Sequence, residues 1–274
     1  MQGFADFADS LLGGAILVAL SLALGGVVWG LVVLRAPRGG VDPRIVRRAV
    51  GLLAAGAAGV AACQAAILAL KVRMLAAYVG PVAFRQFTST LQFRGGSARV
   101  LVAAGLAAAA LWLRRAPADV GRWRVTTGLA VLLAVSGAWL VHAAGRLEER
   151  VSLMALTVVH QAGAAVWVGG LFQLGALWRL ARRDPAVDAV WPSVVARFSR
   201  VAIASFAVLL VAGIPLGVAY VGTWDGLVGT GYGSLVVTKV GLLAVVLVFG
   251  AINFFGARRA GDAVRTRVPS TIEA

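Results

Sequence analysis

Seven long apolar stretches constrain this chain more than any other feature of its sequence. Each is long enough for a helix to cross a hydrocarbon core of roughly 30 Å, and in lipid only helices and closed barrels satisfy every backbone polar group. The stretches cover residues 11–34, 48–71, 98–113, 125–145, 151–178, 201–221 and 235–257. The sequence therefore predicts an all-α, polytopic transmembrane bundle of about seven spanning helices.

The composition agrees with a membrane protein. Hydrophobic residues make up 60% of the chain, charged residues 14%, and the mean hydropathy is +0.89, which excludes an ordinary soluble globule. We expect residues 1–274 to form a single transmembrane domain. The segment 72–97 is too polar to span, and the amphipathic spacing of its MLAAYVGPVAFRQF stretch predicts that it lies along the membrane surface.

The arginines predict the orientation of the bundle. Alternate connections carry 18 of the 26 lysines and arginines, and these connections are residues 35–48, 114–124, 179–200 and 258–267. Basic residues concentrate on the cytoplasmic side of membrane proteins, so we expect the N-terminus outside and the C-terminus inside. The net charge of +15 then reflects topology, and we expect no nucleic-acid partner.

No familiar enzyme motif is present. The sequence lacks a Walker loop, a GxSxG elbow and an HExxH pair. Its single cysteine, Cys63, cannot form an intrachain disulfide. We expect a transporter or metal-binding membrane protein and not an enzyme.

The candidate metal ligands are two histidines, with a cysteine and a methionine as weaker candidates. His142 and His160 both fall in predicted spans, and by helical rise His160 lies roughly 15 Å below the outer surface while His142 lies about 6 Å below it. Cys63 falls close to the depth of His160, and Met154 lies above it. Imidazole, thiolate and thioether are the ligands that soft copper prefers, so the inventory indicates copper in an unassigned oxidation state.

His160 belongs to a helical stripe with Gly163, Trp167 and Gly170. Glycines on such a stripe permit close helix approach, so we expect His160 to face protein, in a cavity between the second, fourth and fifth spans. Two interpretations remain open for this histidine. It is either a structural residue bonded to a neighbouring backbone or hydroxyl group, or a ligand or relay.

Four sequence elements resemble the copper-resistance protein D (CopD) family of bacterial inner-membrane proteins. They are VHAAG at 141–145, HQAGAAVWVGGL at 160–171, RFSRVA at 197–202 and TGYGSLVVTKVGLL at 230–243. The resemblance implies copper transport or delivery at the inner membrane, often beside a periplasmic copper-binding protein of the CopC type. By position it implies ligand roles for His142 and His160. Similar proteins typically carry one more spanning helix after the last one here.

An internal similarity suggests a parallel repeat. Thr90 with Arg99 and Thr230 with Lys239 share a nine-residue spacing at the outer start of two spans. The repeat units would be residues 11–145 and 151–257.

Two alternatives to copper handling stay open. Two histidines on adjacent helices are the minimum that a b-type haem needs for bis-imidazole ligation, which would make the chain an electron carrier. The other alternative is a membrane scaffold without a metal.

The topology can be tested by thiol labelling. After Cys63→Ala removes the native thiol, Leu227→Cys should react with a membrane-impermeant maleimide from outside, whereas Gly40→Cys should not. Labelling of position 40 from outside, or protection of position 227, would contradict the orientation.

Overall fold

The computed structural model describes residues 2–80, 82–140 and 149–265, and these form helices and connecting turns without a β-strand. The α-helices, in chain order, are α1 (Gln2–Val28), α2 (Pro43–Val79), α3 (Val82–Ser89), α4 (Leu91–Leu113), α5 (Val120–Ser136), α6 (Arg150–Ala181), α7 (Pro185–Asp188), α8 (Trp191–Val221), α9 (Trp224–Gly229) and α10 (Gly231–Arg265). A π-helical segment, Trp29–Val33, continues α1, and 3₁₀ turns occupy Ala36–Arg38 and Gly137–Leu140.

Seven of the described helices are long and apolar enough to cross a membrane. They are α1, α2, α4, α5, α6, α8 and α10, in the order that the apolar stretches predict. The predicted fold class, an all-α multi-pass membrane protein, is confirmed.

Three spans, α2, α4 and α5, begin earlier than hydropathy alone predicts, because local caps set their starts. Asp42, Thr90 and Asp119 each accept a hydrogen bond from a backbone N–H in the first turn of the helix that follows. Such caps satisfy donors that otherwise have no partner at a helix start. Consequently α2 begins at Pro43 and not at 48, and α4 begins at Leu91 and not at 98.

The segment 72–97 is helical along most of its length. It comprises the end of α2, the short helix α3 and the first turns of α4. Gly80, at φ +85°, ends α2, because glycine adopts this left-handed conformation without a Cβ clash. The predicted position of this segment along the membrane surface stays a prediction.

Helix α1 is the most buried of the spans, and glycines bring its neighbours close. A methyl group built on Gly56 of α2 would lie 2.6 Å from the carbonyl oxygen of Ala19. A methyl group on Gly169 of α6 would lie 2.9 Å from the Cα of Gly25 and would overlap the carbonyl oxygen of Ser21. Backbone therefore packs directly on backbone where α1 meets α2 and α6.

Helix α6 is fixed by one further buried bond. The amide nitrogen of Gln173, which is 2% exposed, donates to the carbonyl oxygen of Ala49 on α2 at 3.1 Å. A buried amide needs such a partner, and this one connects α6 to the second span as well as the first. The helix that carries His160 is thus held by two neighbours.

The chain packs as two compact units, Met1–Ile214 and Pro215–Ala274. In the second unit, the rings of Tyr220 and Tyr232 lie 5.8 Å apart, and the side chain of Thr223 caps α9 by accepting from the N–H of Gly226 at 3.1 Å. The single-domain organisation and the parallel repeat both stay predictions.

The close approach of α1 and α6 predicts the outcome of a matched pair of substitutions. Gly169→Ala should lower the free energy of unfolding by about 1–3 kcal/mol, because the methyl group would meet backbone atoms that cannot rotate away. Gly175→Ala on the same helix meets open space and should be neutral or stabilise by up to about 1 kcal/mol. Thermal unfolding in one detergent measures both, and equal melting temperatures would contradict the packing described.

Candidate metal-handling site

His160 lies in the first half of α6 and contacts α8. Its side chain is half-buried, and its Nδ1 lies 3.2 Å from the carbonyl oxygen of Leu209. That carbonyl belongs to the interior of α8, and a carbonyl oxygen has two lone pairs. It can therefore accept a hydrogen bond from the helix backbone and another from the imidazole at the same time.

A glycine on α8 gives the imidazole its place. A methyl group at Gly213 would lie 3.0 Å from Cε1 and 3.1 Å from Nδ1 of His160, closer than such atoms ordinarily pack. Gly213 lies one turn beyond Leu209, so the missing side chain clears the approach to the carbonyl. The ring and the glycine are complementary parts of one contact.

The bond to Leu209 also decides which nitrogen of a neutral ring carries the proton. A carbonyl oxygen only accepts, so Nδ1 must donate and Nε2 must carry the lone pair. Histidine ligands of metals commonly donate their second ring N–H to a backbone carbonyl in this way. The geometry agrees with the structural interpretation of His160. It agrees equally with the ligand interpretation, because it leaves the lone pair on Nε2.

The glycine stripe of α6 faces α8. A methyl group at Gly163 would lie 3.1 Å from Val208, and one at Gly170 would lie 3.1 Å from the Cδ2 atom of Phe198 and closer still to its Cε2. The sequence predicts close approach along this stripe, with the second and fourth spans as its neighbours. The described contacts of the stripe and of His160 are instead with the sixth span.

The other predicted ligands are not gathered around His160 by any described contact. Cys63 on α2 and Met154 on α6 are both half-buried, and Met154 lies about 120° round the helix from His160 at 3.6 residues per turn. His142 falls in residues 141–148, outside the described residues. Across the described parts of the chain, no group of three or more His, Cys, Asp or Glu residues could hold a metal ion.

A buried arginine on α4 lies near the side chain of Gln161, the residue that follows His160 on α6. Arg99 on α4 is 6% exposed, and its Nε has no hydrogen-bond partner among the described residues. Its Nη1 would lie 3.1 Å from a methyl group at Gly137, and the Oε1 of Gln161 would lie 3.5 Å from the same methyl group. Gln161 directly follows His160, so α6 presents an imidazole and an amide on successive positions.

Sequence reasoning gives Arg99 no site role, only a place in the spacing shared with Thr230 and Lys239. The available signal is an arginine inside an apolar span. Charged residues there are costly and commonly mark a pathway or a protein contact.

The part of the chain that includes α8, the helix in contact with His160, matches a known family. Residues 192–272 match the family model described as Copper resistance protein D, CopD. We call residues 192–272 the CopD segment, because they are similar to that family. The resemblance predicted from the sequence is thereby confirmed, and the CopD segment includes Leu209 and Gly213, the two α8 residues in contact with His160.

A curated relative extends the similarity. The chain is 32% identical over 142 residues to the copper transport protein CutJ of Bacillus subtilis (strain 168), an alignment that covers 52% of this chain and 25% of that protein. The chain thus matches about a quarter of the relative's length. No solved structure matches the chain.

The contact between the ring and Gly213 predicts a coupled pair of substitutions. Gly213→Ala should lower the free energy of unfolding by about 1–3 kcal/mol, because the ring must move away from the new methyl group. Gly217→Ala, one turn further along α8, meets open space and serves as the control.

In a His160→Ala background the cost of Gly213→Ala should disappear, because the opposing ring is gone. Thermal unfolding of the four variants of this cycle measures the coupling. If the two substitutions are additive, the contact does not exist.

Proposed function

We propose that this chain transports or delivers copper at the bacterial inner membrane, with His160 as a ligand of the moving ion. The observation that carries the proposal is the bond from Nδ1 of His160 to the Leu209 carbonyl. It orients the ring and leaves the lone pair on Nε2, the nitrogen that would bind copper. The CopD segment and the similarity to a copper transport protein support the choice of metal.

In this proposal copper is the substrate and not a resident cofactor. Conduction requires a site that captures an ion and also releases it. Two histidines at different depths by helical rise suit such capture and release better than storage. His142 would be the second ligand or an earlier station nearer the outer face, and Cys63 and Met154 are weaker candidates.

The proposed route begins at the outer face. A periplasmic protein of the CopC type would present copper there, and the imidazole would accept it inside the bundle. Imidazole, thiolate and thioether groups are the ligands that soft copper prefers. By helical rise, the imidazole of His160 on α6 and the sulfur of Cys63 on α2 lie at a similar depth.

Two substitutions at one position separate a ligand role from a structural role. His160→Asn places an amide N–H near the position of Nδ1, so it can still donate to Leu209, but it removes the imidazole lone pair. We expect His160→Asn to retain most of the stability and to lose copper binding. His160→Ala should lose both.

The measurements are copper content of the purified protein by elemental analysis, copper accumulation in cells, and the melting temperature. Thr157→Ala is the matched control, because Thr157 lies one turn earlier on α6 and its hydroxyl donates only to the Leu153 carbonyl of the same helix. Wild-type copper content and accumulation in His160→Asn would overturn the ligand role. The absorption spectrum of the same samples tests the haem alternative. A Soret band stoichiometric with protein would show that the chain binds haem and would overturn the copper proposal.

A further inference from the structure

Three arginines at the end of the bundle assigned to the inner side line one groove. The groove has a volume of about 330 Å³, and it is lined by Val32, Arg35, Arg197, Arg200, Val201 and Ala204. An adjoining hollow of about 400 Å³ shares Val32 and Arg35 and adds Arg38. The arginine pattern explains why these residues lie on this side, but it does not explain why three of them converge on one groove.

The positive charge of the groove has no described acidic partner. The ion pairs of the described residues are Lys71 with Asp9 and Arg122 with Asp119, and neither involves the groove. Arg35 and Arg200 are close enough to Arg197 to repel it. Arg197 is nevertheless held in place, because its Nε donates to the Ser193 carbonyl at 3.1 Å and its Nη2 to the Ser193 hydroxyl at 2.8 Å.

Arg35 occupies its place against a backbone preference. It lies at φ 55° and ψ 37°, in the left-handed region, directly after the π-helical segment and Leu34. Glycine would adopt this conformation without cost, whereas arginine does not. A side chain kept at a strained position is a reason to look for a function there.

Along α8 and the first span, the order of charged and apolar residues matches the order of headgroup and acyl chain in a phospholipid. On α8, Arg197 and Arg200 are followed one turn further into the span by Val201 and Ala204, and on the first span Val32 precedes Arg35 in the same sense. Both helices thus place apolar side chains towards the hydrocarbon region and guanidinium groups at the headgroup level.

We propose that this groove binds the phosphate of an anionic phospholipid from the inner leaflet. The arginines would donate charge-assisted hydrogen bonds to the phosphate oxygens, and the apolar residues would contact the glycerol and the start of an acyl chain. A soluble phosphate ion would gain nothing from the apolar wall, so a lipid is the favoured source of the phosphate.

The test titrates delipidated full-length protein in a neutral detergent with phosphatidylglycerol, phosphatidylcholine or inorganic phosphate. Binding is measured by native mass spectrometry and by the shift in melting temperature. We expect phosphatidylglycerol to bind most tightly. Arg35→Gly, Arg197→Gln and Arg200→Gln should each weaken its binding about fivefold, while Arg35→Gly leaves the lipid-free protein as stable as the wild type or more so, because the backbone strain is relieved.

Arg183→Gln is the control, because Arg183 is an exposed arginine of the same inner connection that lines neither hollow. It should bind phosphatidylglycerol as the wild type does. An equal loss in Arg183→Gln would overturn the site in favour of a general charge effect. An equal response to inorganic phosphate would overturn the lipid, and wild-type affinity in all three groove variants would overturn the proposal entirely.

Discussion

The structure depends on direct backbone contact between helices at glycines. Lipid tails are as apolar as leucine, so burial of apolar side chains gives little force for helices to associate within a bilayer. Close van der Waals packing must supply it, and small residues permit that packing. The contact of Gly169 with Ser21 and Gly25 is the tightest example between α6 and α1, and it fixes the helix on which the candidate site is built.

Helix α6 packs against two neighbouring helices through adjacent glycines. Gly169 of α6 faces α1, whereas Gly163 and Gly170 face α8. Because neighbouring positions on a helix point about 100° apart, the pair 169 and 170 holds α6 between two partners. His160 shares the row of Gly163 and Gly170, so the packing that holds α6 against α8 also directs the imidazole to α8.

Much of the fold can be predicted from the sequence. The apolar stretches predict the seven spans in order, because a bilayer demands a long run of apolar residues regardless of neighbours. The helix ends were less predictable, since they depend on single capping residues such as Asp42 and Thr90. The spacing of His160, Gly163 and Gly170 predicts a row for close packing, but spacing within one helix carries no information about which helix lies opposite. The role of Gly213, on another helix, becomes visible only in three dimensions, and the predicted partnership with His142 stays a prediction.

The bond between His160 and the Leu209 carbonyl joins the candidate ligand to the CopD segment. The donor is a side chain of α6, and the acceptor is a backbone atom of α8 that cannot change position without moving its helix. Any shift of α8 along or away from α6 must therefore either turn the imidazole with it or break the bond. Turning the ring redirects Nε2, and breaking the bond removes the restraint that keeps the proton on Nδ1. If His160 binds copper as proposed, its affinity for the ion would therefore depend on the position of α8 relative to α6, and conduction requires a site that both captures and releases its ion.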